Sequence, residues 1–482
     1  MTRAALAAVA AVLVFPLPAV ARANFTPPDP LAGKQYYLGQ DHAFDAFGDT
    51  LPTLAPVRVA IIDSGLDGSH PEFPAKRIVA ARSFVGGSAL TDEQGHGTFV
   101  AGEIAAAINS EGIAGIAFPA QLIVAKIARG DSTISIRDEA AAIRWAVDRG
   151  AQVINLSIGG LRDPLHRRND TYSSAEAAAV DYAYRHGTVL VAAVGNSDEA
   201  PRTPWRFASY PAALPHVIGV SALTQSGNVP TFSNRDRIYN DIAAPGQDIY
   251  STLPTSLTRA HPNCANQGYS DCGPEEFRHA SGTSFAAPQV TAAAALLLAL
   301  KPSLRPEQVS YLLERAATDV SAANGCDRCP LQRDAFSGWG RLDIGRAIAA
   351  AGGVLPSADR LEPNDDAGTH APVLPRSLHQ IRATLDFWDD QIDVYRVRLK
   401  HGHVLRLRLD GPVGATSNLL LWRPGTLRVN DLRHRNMRVA QSLRPGSVHR
   451  LAYRAAVSGW YYVEVKMTTH NFGAYTLGVA RK

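Results

Sequence analysis

The chain has 482 residues, of which 46% are hydrophobic and 19% charged, and its 48 Lys and Arg against 44 Asp and Glu leave a formal net charge of +4. This is an ordinary composition for a globular protein of two or three domains, each long enough to bury its own core. Low-complexity and internal-repeat architectures are excluded.

The first residues read as a secretory signal spanning 1–23. Arg3 gives the positive start, Ala4 to Phe15 the apolar stretch, and Ala21-Arg22-Ala23 a small-x-small cleavage site. That apolar stretch is too short to cross a bilayer and no later run reaches spanning length, so no transmembrane anchor is expected. The mature chain is expected to begin near Asn24 and to act outside the cytoplasm, in an extracellular or periplasmic compartment.

From Val57 to Ala350, apolar strand-like runs alternate with helical patterns, as a doubly wound parallel sheet flanked by helices requires. Strands are expected at Val57–Ile62, Leu122–Ile127, Val153–Ile158 and Val189–Val194. Helices are expected at Thr98–Asn109, Ile136–Arg149, Ser174–His186 and Ser284–Leu300, with Arg149-Gly150 and His186-Gly187 as stops. The first strand delivers Asp63 and breaks at Ser64-Gly65, and an acid at the carboxyl end of a buried parallel strand is where open α/β sheets keep their chemistry. Gly95-His96-Gly97-Thr98 sets a histidine between glycines before an Ala-rich helical pattern. Ala280-Ser281-Gly282-Thr283-Ser284 crowds small residues around a serine before a long apolar helix, whose unpaired first N–H groups favour developing negative charge. Each residue alone has a plain structural reading, as a turn acid, a buried polar cap or an N-cap serine. Together, in the order Asp, His, Ser, they form one constellation.

On these motifs the chain resembles the subtilisin-like serine proteases over about 29–350. Ile61-Ile62-Asp63-Ser64-Gly65, Gly95-His96-Gly97-Thr98 and Ser281-Gly282-Thr283-Ser284 match the three active-site signatures of that family, and Val189–Asn196 matches the strand ending in its oxyanion-hole asparagine. The resemblance implies that Ser284 is the nucleophile, His96 the general base, Asp63 the residue orienting the imidazole and Asn196 an oxyanion donor. It implies that Ser157, Ile158 and Gly159, within Asn155–Gly160, pair with extended substrate through the backbone, which favours broad specificity. The resemblance also places Ser209 at the floor of the specificity pocket, so a large apolar side chain is expected to fit, with Lys or Arg as the alternative because Asp198 and Glu199 fall near the rim. The opposing edge near Ser132-Thr133-Ile134 departs from the glycine-rich family pattern, as does Gln289 where relatives often have histidine. Asp29 to Phe47 looks like the N-terminal arm of mature relatives, and the stretch between signal and first strand leaves no room for a folding-assisting propeptide. No cofactor is implied for catalysis. Asn109–Ile113 matches in length the family loop that holds a structural calcium, with Asp29 and Glu72 placed to supply oxygens, and an ordinary surface loop is the competing reading.

Four cysteines, Cys264, Cys272, Cys326 and Cys329, fit an exported chain better as disulfides than as zinc ligands. Of the three possible pairings, the local pairs Cys264–Cys272 and Cys326–Cys329 are expected. Asn263 to His279 reads as an insertion before the nucleophile.

Beyond Gly352 the composition shifts to a Gly/Pro/Asp-rich linker (353–358), and the period then changes from helical to alternating. Tyr395, Val397 and Leu399 are expected to join Leu405, Leu407 and Leu409 through a hairpin turn at His401-Gly402-His403, and Trp460–Val465 reads as another strand. Leu361-Glu362-Pro363-Asn364-Asp365, Asp393-Val394-Tyr395 and Gly459–Tyr462 together resemble the small β-sandwich appended to many secreted bacterial peptidases, here at 359–482, so the peptidase domain is expected at 24–352. From Leu355 onward there are 16 Arg and 3 Lys against 11 Asp and Glu, a surplus of eight. Many of these arginines fall on the polar phase of expected strands and should line an exposed sheet face, where they could serve solubility or contact an anionic surface. The expected activity is that of a secreted serine endopeptidase acting on polypeptides, with no nucleic-acid partner. A catalytically silent binding protein, or a β-sandwich that is itself the main functional part, are the competing readings.

Overall fold

The computed structural model describes residues 24–130, 134–260, 276–357, 359–368, 371–388, 390–429 and 436–482. The expected signal peptide, Ser132-Thr133 and the pair Cys264–Cys272 lie outside these residues. Cys326 and Cys329 form a disulfide with their Cα atoms 5.5 Å apart.

The N-terminal arm carries α1 (Tyr36–Gln40). The sheet that follows is built from β1 (Val57–Asp63), β2 (Ile78–Ser83), β3 (Ala120–Lys126), β4 (Val153–Leu156), β5 (Val189–Ala193), β6 (Val217–Leu223) and β7 (Ile242–Pro245), in the spatial order β2-β3-β1-β4-β5-β6-β7. All of its ladders are parallel. Its inner strands are apolar almost without interruption, because helices cover both faces. Along β1, Val57, Val59 and Ile61 join one core while Ala60 and Ile62 join the other. Asp63 shares the phase of Ile61, so the period of two turns it toward the first core. Helices α2 (His96–Ala105) and α6 (Thr283–Leu300) lie on that side, backed by α7 (Pro306–Ala316) and α8 (Ile344–Ala350). The opposite face is covered by α3 (Ile136–Asp148) and α4 (Ser174–Arg185). A short helix α5 (Thr255–Ala260) follows β8 (Ile249–Thr252), whose antiparallel partner β9 (Phe277–Ala280) leads into α6.

Local chemistry sets most of the boundaries. Gly150 and Gly187 both take φ 79°. After α3, Gly150 N–H donates to Val147 and Ala151 N–H to Ala146; after α4, Gly187 donates to Tyr184 and Thr188 to Ala183. Both stops are therefore the double-bonded left-handed glycine type. Two expected elements end early. The helix from Thr98 stops at Ala105 rather than Asn109, because Ala107 N–H donates to Glu72 O and Ala106 O accepts from Gly115 N–H. The strand from Val153 stops at Leu156, and Gly160 then bridges to Tyr210 instead.

Helix α6 is long and apolar enough to cross a membrane by composition, but it is buried within the protein. A helix that is apolar all round belongs in a core.

The C-terminal region forms two antiparallel four-stranded sheets. One is β10 (Gln380–Asp386), β17 (Phe472–Arg481), β12 (Val404–Asp410) and β15 (Val448–Arg454); the other is β11 (Ile392–Leu399), β16 (Gly459–Met467), β13 (Ser417–Trp422) and β14 (Arg438–Ser442). The expected hairpin at His401-Gly402-His403 is a correction: β11 pairs with β16, β12 pairs with β15 and β17, and the turn crosses between sheets. Tyr395, Val397 and Leu399 meet Leu405, Leu407 and Leu409 in one core. Two alternating strands can share a core by facing each other across a sandwich as well as by lying side by side, and the alternation is identical.

The sandwich docks on the α/β domain through an aromatic cluster, in which Tyr311 and Trp339 meet Phe387, Trp388 and Phe472, and through a buried polar junction. His216 contacts Glu362 Oε2 at 3.1 Å and Asp365 Oδ2 at 2.8 Å and stacks on Tyr184 at 3.7 Å. Burial opposes the charged imidazole, but the adjacent Asp365 and Glu362 outweigh it and hold His216 well above 6.5. Glu362 also faces Asp359, Asp390 and Asp393, and burial followed by repulsion from Asp365 pushes it up to about 7. A raised histidine stabilises fully below its unfolded value and loses that contribution as pH rises through its folded one; a carboxyl raised by burial likewise favours the fold at low pH. Thermal stability in metal-free buffer is therefore expected to fall as pH rises from about 5 to 9, and His216→Gln should flatten that slope. A slope unchanged by the substitution, followed by calorimetry, would contradict this.

Candidate active site

The expected site residues converge at the carboxyl edge of the parallel sheet. Asp63 ends β1 with only 2% of its surface exposed. Its Oδ1 and Oδ2 lie 2.8 and 3.0 Å from His96 Nδ1, and Oδ1 also accepts the Ser64 N–H at 2.7 Å. Such a carboxylate selects the imidazole tautomer with the proton on Nδ1, leaving Nε2 as the basic nitrogen. The His96 ring packs on Phe285, the residue after Ser284, with centroids 5.4 Å apart, and Phe285 packs on Phe99 of the histidine's own helix at 4.6 Å. Histidine and serine are thus brought together by the contact between α2 and α6.

Asp92 organises the start of α2, and the sequence reading missed it. Its Oδ1 accepts from Ser64 Oγ at 2.8 Å, Gly95 N–H at 2.8 Å and Gln94 N–H at 3.1 Å; its Oδ2 accepts from Thr98 N–H at 2.9 Å and Thr98 Oγ at 2.7 Å. Ser64 Oγ in turn accepts the Gly97 N–H at 2.9 Å. One buried carboxylate therefore ties the turn after Asp63 to the first turn of the histidine helix. Its signal was an acid three residues before the capping glycine, a position suited to satisfying orphan N–H groups. Gly97 is required by close approach, since a Cβ there would lie 2.1 Å from Gly65 O.

Ser284 occupies the first turn of α6, and Pro288 four residues on explains how it is held. Proline has no N–H, so the Ser284 carbonyl lacks its helical partner. Ser157 Oγ donates to that carbonyl at 2.6 Å, while Ser284 Oγ donates to Ser157 O at 3.2 Å. Ser157 Oγ also accepts from Asn155 Nδ2 at 2.9 Å, and Asn155 Oδ1 accepts from Thr291 Oγ at 2.8 Å. The serine is thereby fastened to the segment Ser157-Ile158-Gly159, of which Gly159 is exposed.

Asn196 follows Gly195, whose φ of 94° turns the chain after β5. Its Oδ1 accepts from Thr283 N–H at 3.0 Å and Thr283 Oγ at 3.1 Å, which fixes the amide so that Nδ2 is its remaining donor group. That nitrogen lies 3.5 Å from where a Gly282 Cβ would sit, beside the serine. Ser209 is buried between Gly159 and Gly195, and Asn234 Nδ2 donates to its Oγ at 3.3 Å.

Gln289 fills the position where the family pattern suggested histidine. Its Nε2 donates to Pro245 O and Phe285 O at 2.8 Å each and contacts Glu103 Oε2 at 3.0 Å, joining α6 to α2 below the site. Burial raises the Glu103 carboxyl well above its usual range.

The loop proposed for calcium has donors of the right kind. Asp29 Oδ1 accepts from Asn109 and Ser110 N–H at 2.9 and 3.1 Å, and Glu72 Oε1 accepts from Ile113 N–H at 2.9 Å. Asp29 Oδ2 and Glu72 Oε2 are buried without a hydrogen-bond partner. Burial pushes Glu72 up to about 7. Hard, orphaned carboxylate oxygens fit a calcium-type cation.

A parallel α/β sheet with an Asp–His pair and a serine at its carboxyl edge defines a class of hydrolases. Residues 55–335 match the family model described as the subtilase family. Subtilisin DY of Bacillus licheniformis is 34% identical over 267 residues, covering 55% of this chain and 85% of that one. Subtilisin E of Bacillus subtilis is 32% identical over 300 residues, covering 58% and 70%. Among solved structures, a protease from Pseudoalteromonas arctica superposes with a TM-score of 0.53 at 26% identity, over 68% of this chain and 99% of that one. The chain belongs to the subtilase family and is a serine-type endopeptidase.

Proposed function

We propose that the chain is a secreted endopeptidase of broad specificity that cleaves peptide bonds through an acyl-enzyme on Ser284. The observation that carries this reading is the part-buried Asp63–His96 contact set against the first turn of α6 by Phe285. In the proposed cycle Ser284 Oγ attacks the scissile carbonyl carbon while His96 Nε2 takes the hydroxyl proton. Asp63 holds the imidazole and stabilises its charged form without taking that proton. The tetrahedral oxyanion is received by Asn196 Nδ2 and the Ser284 N–H. Collapse breaks the C–N bond, and His96 returns the proton to the leaving amine. Water then enters by the same route, attacks the ester carbonyl and frees Ser284. Substrate backbone pairs with Ser157, Ile158 and Gly159, which reads extended shape rather than side chains, and the buried Ser209 favours a pocket open to large apolar groups.

Ser284→Ala is expected to lower peptide turnover by about 10⁶-fold, and Asn196→Ala by about 10²–10³-fold with little change in KM. A phenylmethane sulfonyl fluoride should label Ser284. Full turnover by the alanine variant, or an adduct mapped by mass spectrometry to another residue, sinks the reading.

The signal at 1–23 and the likeness to secreted subtilisins support export, with residues 24–352 as the peptidase domain, 353–358 as linker and 359–482 as sandwich. We also propose calcium at the Asn109 loop, carried by Asp29 and Glu72. Binding to the native state alone stabilises it by mass action, so excess EGTA should lower the melting temperature while leaving initial rates at 25 °C little changed. An identical melting curve removes the ion.

The sandwich itself is proposed to contact polyanions. Arg382, Arg406, Arg408, Arg450 and Arg454 are exposed on the sheet containing β12 and β15, and Arg408 lies directly opposite Arg450. Like charges so placed repel, and Asp410, 2.9 Å from Arg408, offsets only part of that. The whole chain should be retained on heparin at low salt and released as salt screens the contact. Passage without retention at 20 mM salt, a condition of weak screening, would leave these arginines to solubility alone.

A further inference from the structure

We propose that Arg428 of the C-terminal sandwich is a positioning residue for the substrate pocket, so that the appended domain belongs to the specificity machinery of the peptidase. The inference rests on the reading of Ser157–Gly159 and Ser209 as the substrate site.

Arg428 leaves the sandwich after β13 and enters the peptidase domain. Its Nη1 donates to Tyr210 OH at 3.0 Å, and its Nη2 donates to Tyr239 OH at 3.3 Å and Ala213 O at 3.4 Å. Its guanidinium lies over the Tyr172 ring at 5.2 Å, and that ring meets Tyr210 edge-on at 5.7 Å. Only 15% of the side chain is exposed. Burying a guanidinium is unfavourable unless its charge and donors are matched. The match comes from the sandwich's own Asp366, whose Oδ2 accepts from Nε at 3.0 Å while Oδ1 accepts the Val429 N–H at 2.5 Å. Asp366 and Arg428 thus form a rigid prong, with the planar fork aimed at three acceptors of the other domain.

Where the prong lands decides its role. Tyr210 is joined to Gly160 by a reciprocal backbone pair, Gly160 N–H to Tyr210 O at 2.8 Å and Tyr210 N–H to Gly160 O at 2.9 Å. Ser209, one residue earlier, packs against Gly159 and Gly195, where added Cβ atoms would meet it at 3.1 and 2.2 Å. Arg428 therefore holds the residue that holds both the exposed substrate edge and the proposed pocket floor. A contact serving only to glue the domains could fall anywhere on the interface. This one ends on a tyrosine whose backbone belongs to the substrate-binding wall.

The test compares Arg428→Ala, Arg428→Lys and Tyr210→Phe in the full chain, using peptide anilides that differ only in the residue before the scissile bond, Phe or Ala. Arg428→Ala is expected to raise KM for the Phe substrate about tenfold with kcat changed less than threefold, and to narrow the Phe-over-Ala preference by a similar factor. Arg428→Lys should restore little, since one ammonium cannot reproduce the fork. Tyr210→Phe removes a single hydroxyl and should move KM the same way, and it carries the test if the arginine variants fail to fold. The double variant should be no worse than Arg428→Ala, because both changes break one path. Unchanged KM and preference in folded variants, additive effects of the two substitutions, or a loss confined to kcat overturns the proposal. Sulfonyl fluoride labelling of the wild type separates this from the reading beneath it: an unlabelled Ser284 removes the site assignment itself and the inference with it, whereas a labelled chain with indifferent variants removes the inference alone.

Discussion

A helix surrounded by protein on every side must find an internal partner for each polar group it carries. Helix α6 is in that position, and most polar groups near its start bond around the candidate site, although Gln289 Oε1 stays buried without a hydrogen-bond partner. Thr283 bonds Asn196, Ser284 exchanges hydrogen bonds with Ser157, Gln289 reaches Glu103 and Pro245, and Thr291 holds Asn155. Leaving any such group buried and unpaired would cost about 1–3 kcal/mol, so the packing of the core and the alignment of the site are one requirement. Pro288 contributes by subtraction: the bond it cannot make frees a carbonyl, and that carbonyl anchors the serine to the segment proposed to pair with substrate.

The same economy governs the other half of the site. Asp92 gathers five donors, one from Ser64 in the turn after β1 and four from Gln94, Gly95 and Thr98 at the start of α2, and stays buried. The Asp63–His96 contact stands on this scaffold, since Gly97 can approach Gly65 only because it has no side chain. Preorganisation of this kind places charge stabilisation before the reaction begins. The sandwich extends the principle across a domain boundary, where the cost of burying Arg428 is met by Asp366 within its own domain, and the surplus donors reach Tyr210, Tyr239 and Ala213.

Much of the peptidase domain was legible because its determinants are local. The continuous apolar run of β1, the glycines at 150 and 187, and the small residues around Ser284 each dictate backbone conformation within a few residues, and the structure keeps them. The four motif residues Asp63, Asn196, His96 and Ser284 stand at element boundaries, where sequence punctuation is strongest. The helix and strand that end at Ala105 and Leu156 were expected to run longer, but tertiary hydrogen bonds take the backbone there: Ala107 N–H to Glu72 O and Gly115 N–H to Ala106 O after the helix, and Ser284 Oγ to Ser157 O and the Gly160–Tyr210 pair after the strand.

What the sequence by itself determined was the identity and order of these chemical groups, the alternation of buried strands with helices, and the change to alternating β-strands in the C-terminal part. Only the tertiary structure decided that β11 and β12 face each other from different sheets, because alternation records which side of a strand is apolar and not which strand lies beside it. It alone decided the partners of Asp92 and Gln289 and the reach of Arg428 into the peptidase domain. Those residues carry no pattern of their own. A guanidinium 218 positions from its tyrosine is brought there by the docking of two separate cores, and long-range pairing of that kind leaves no trace in local propensity.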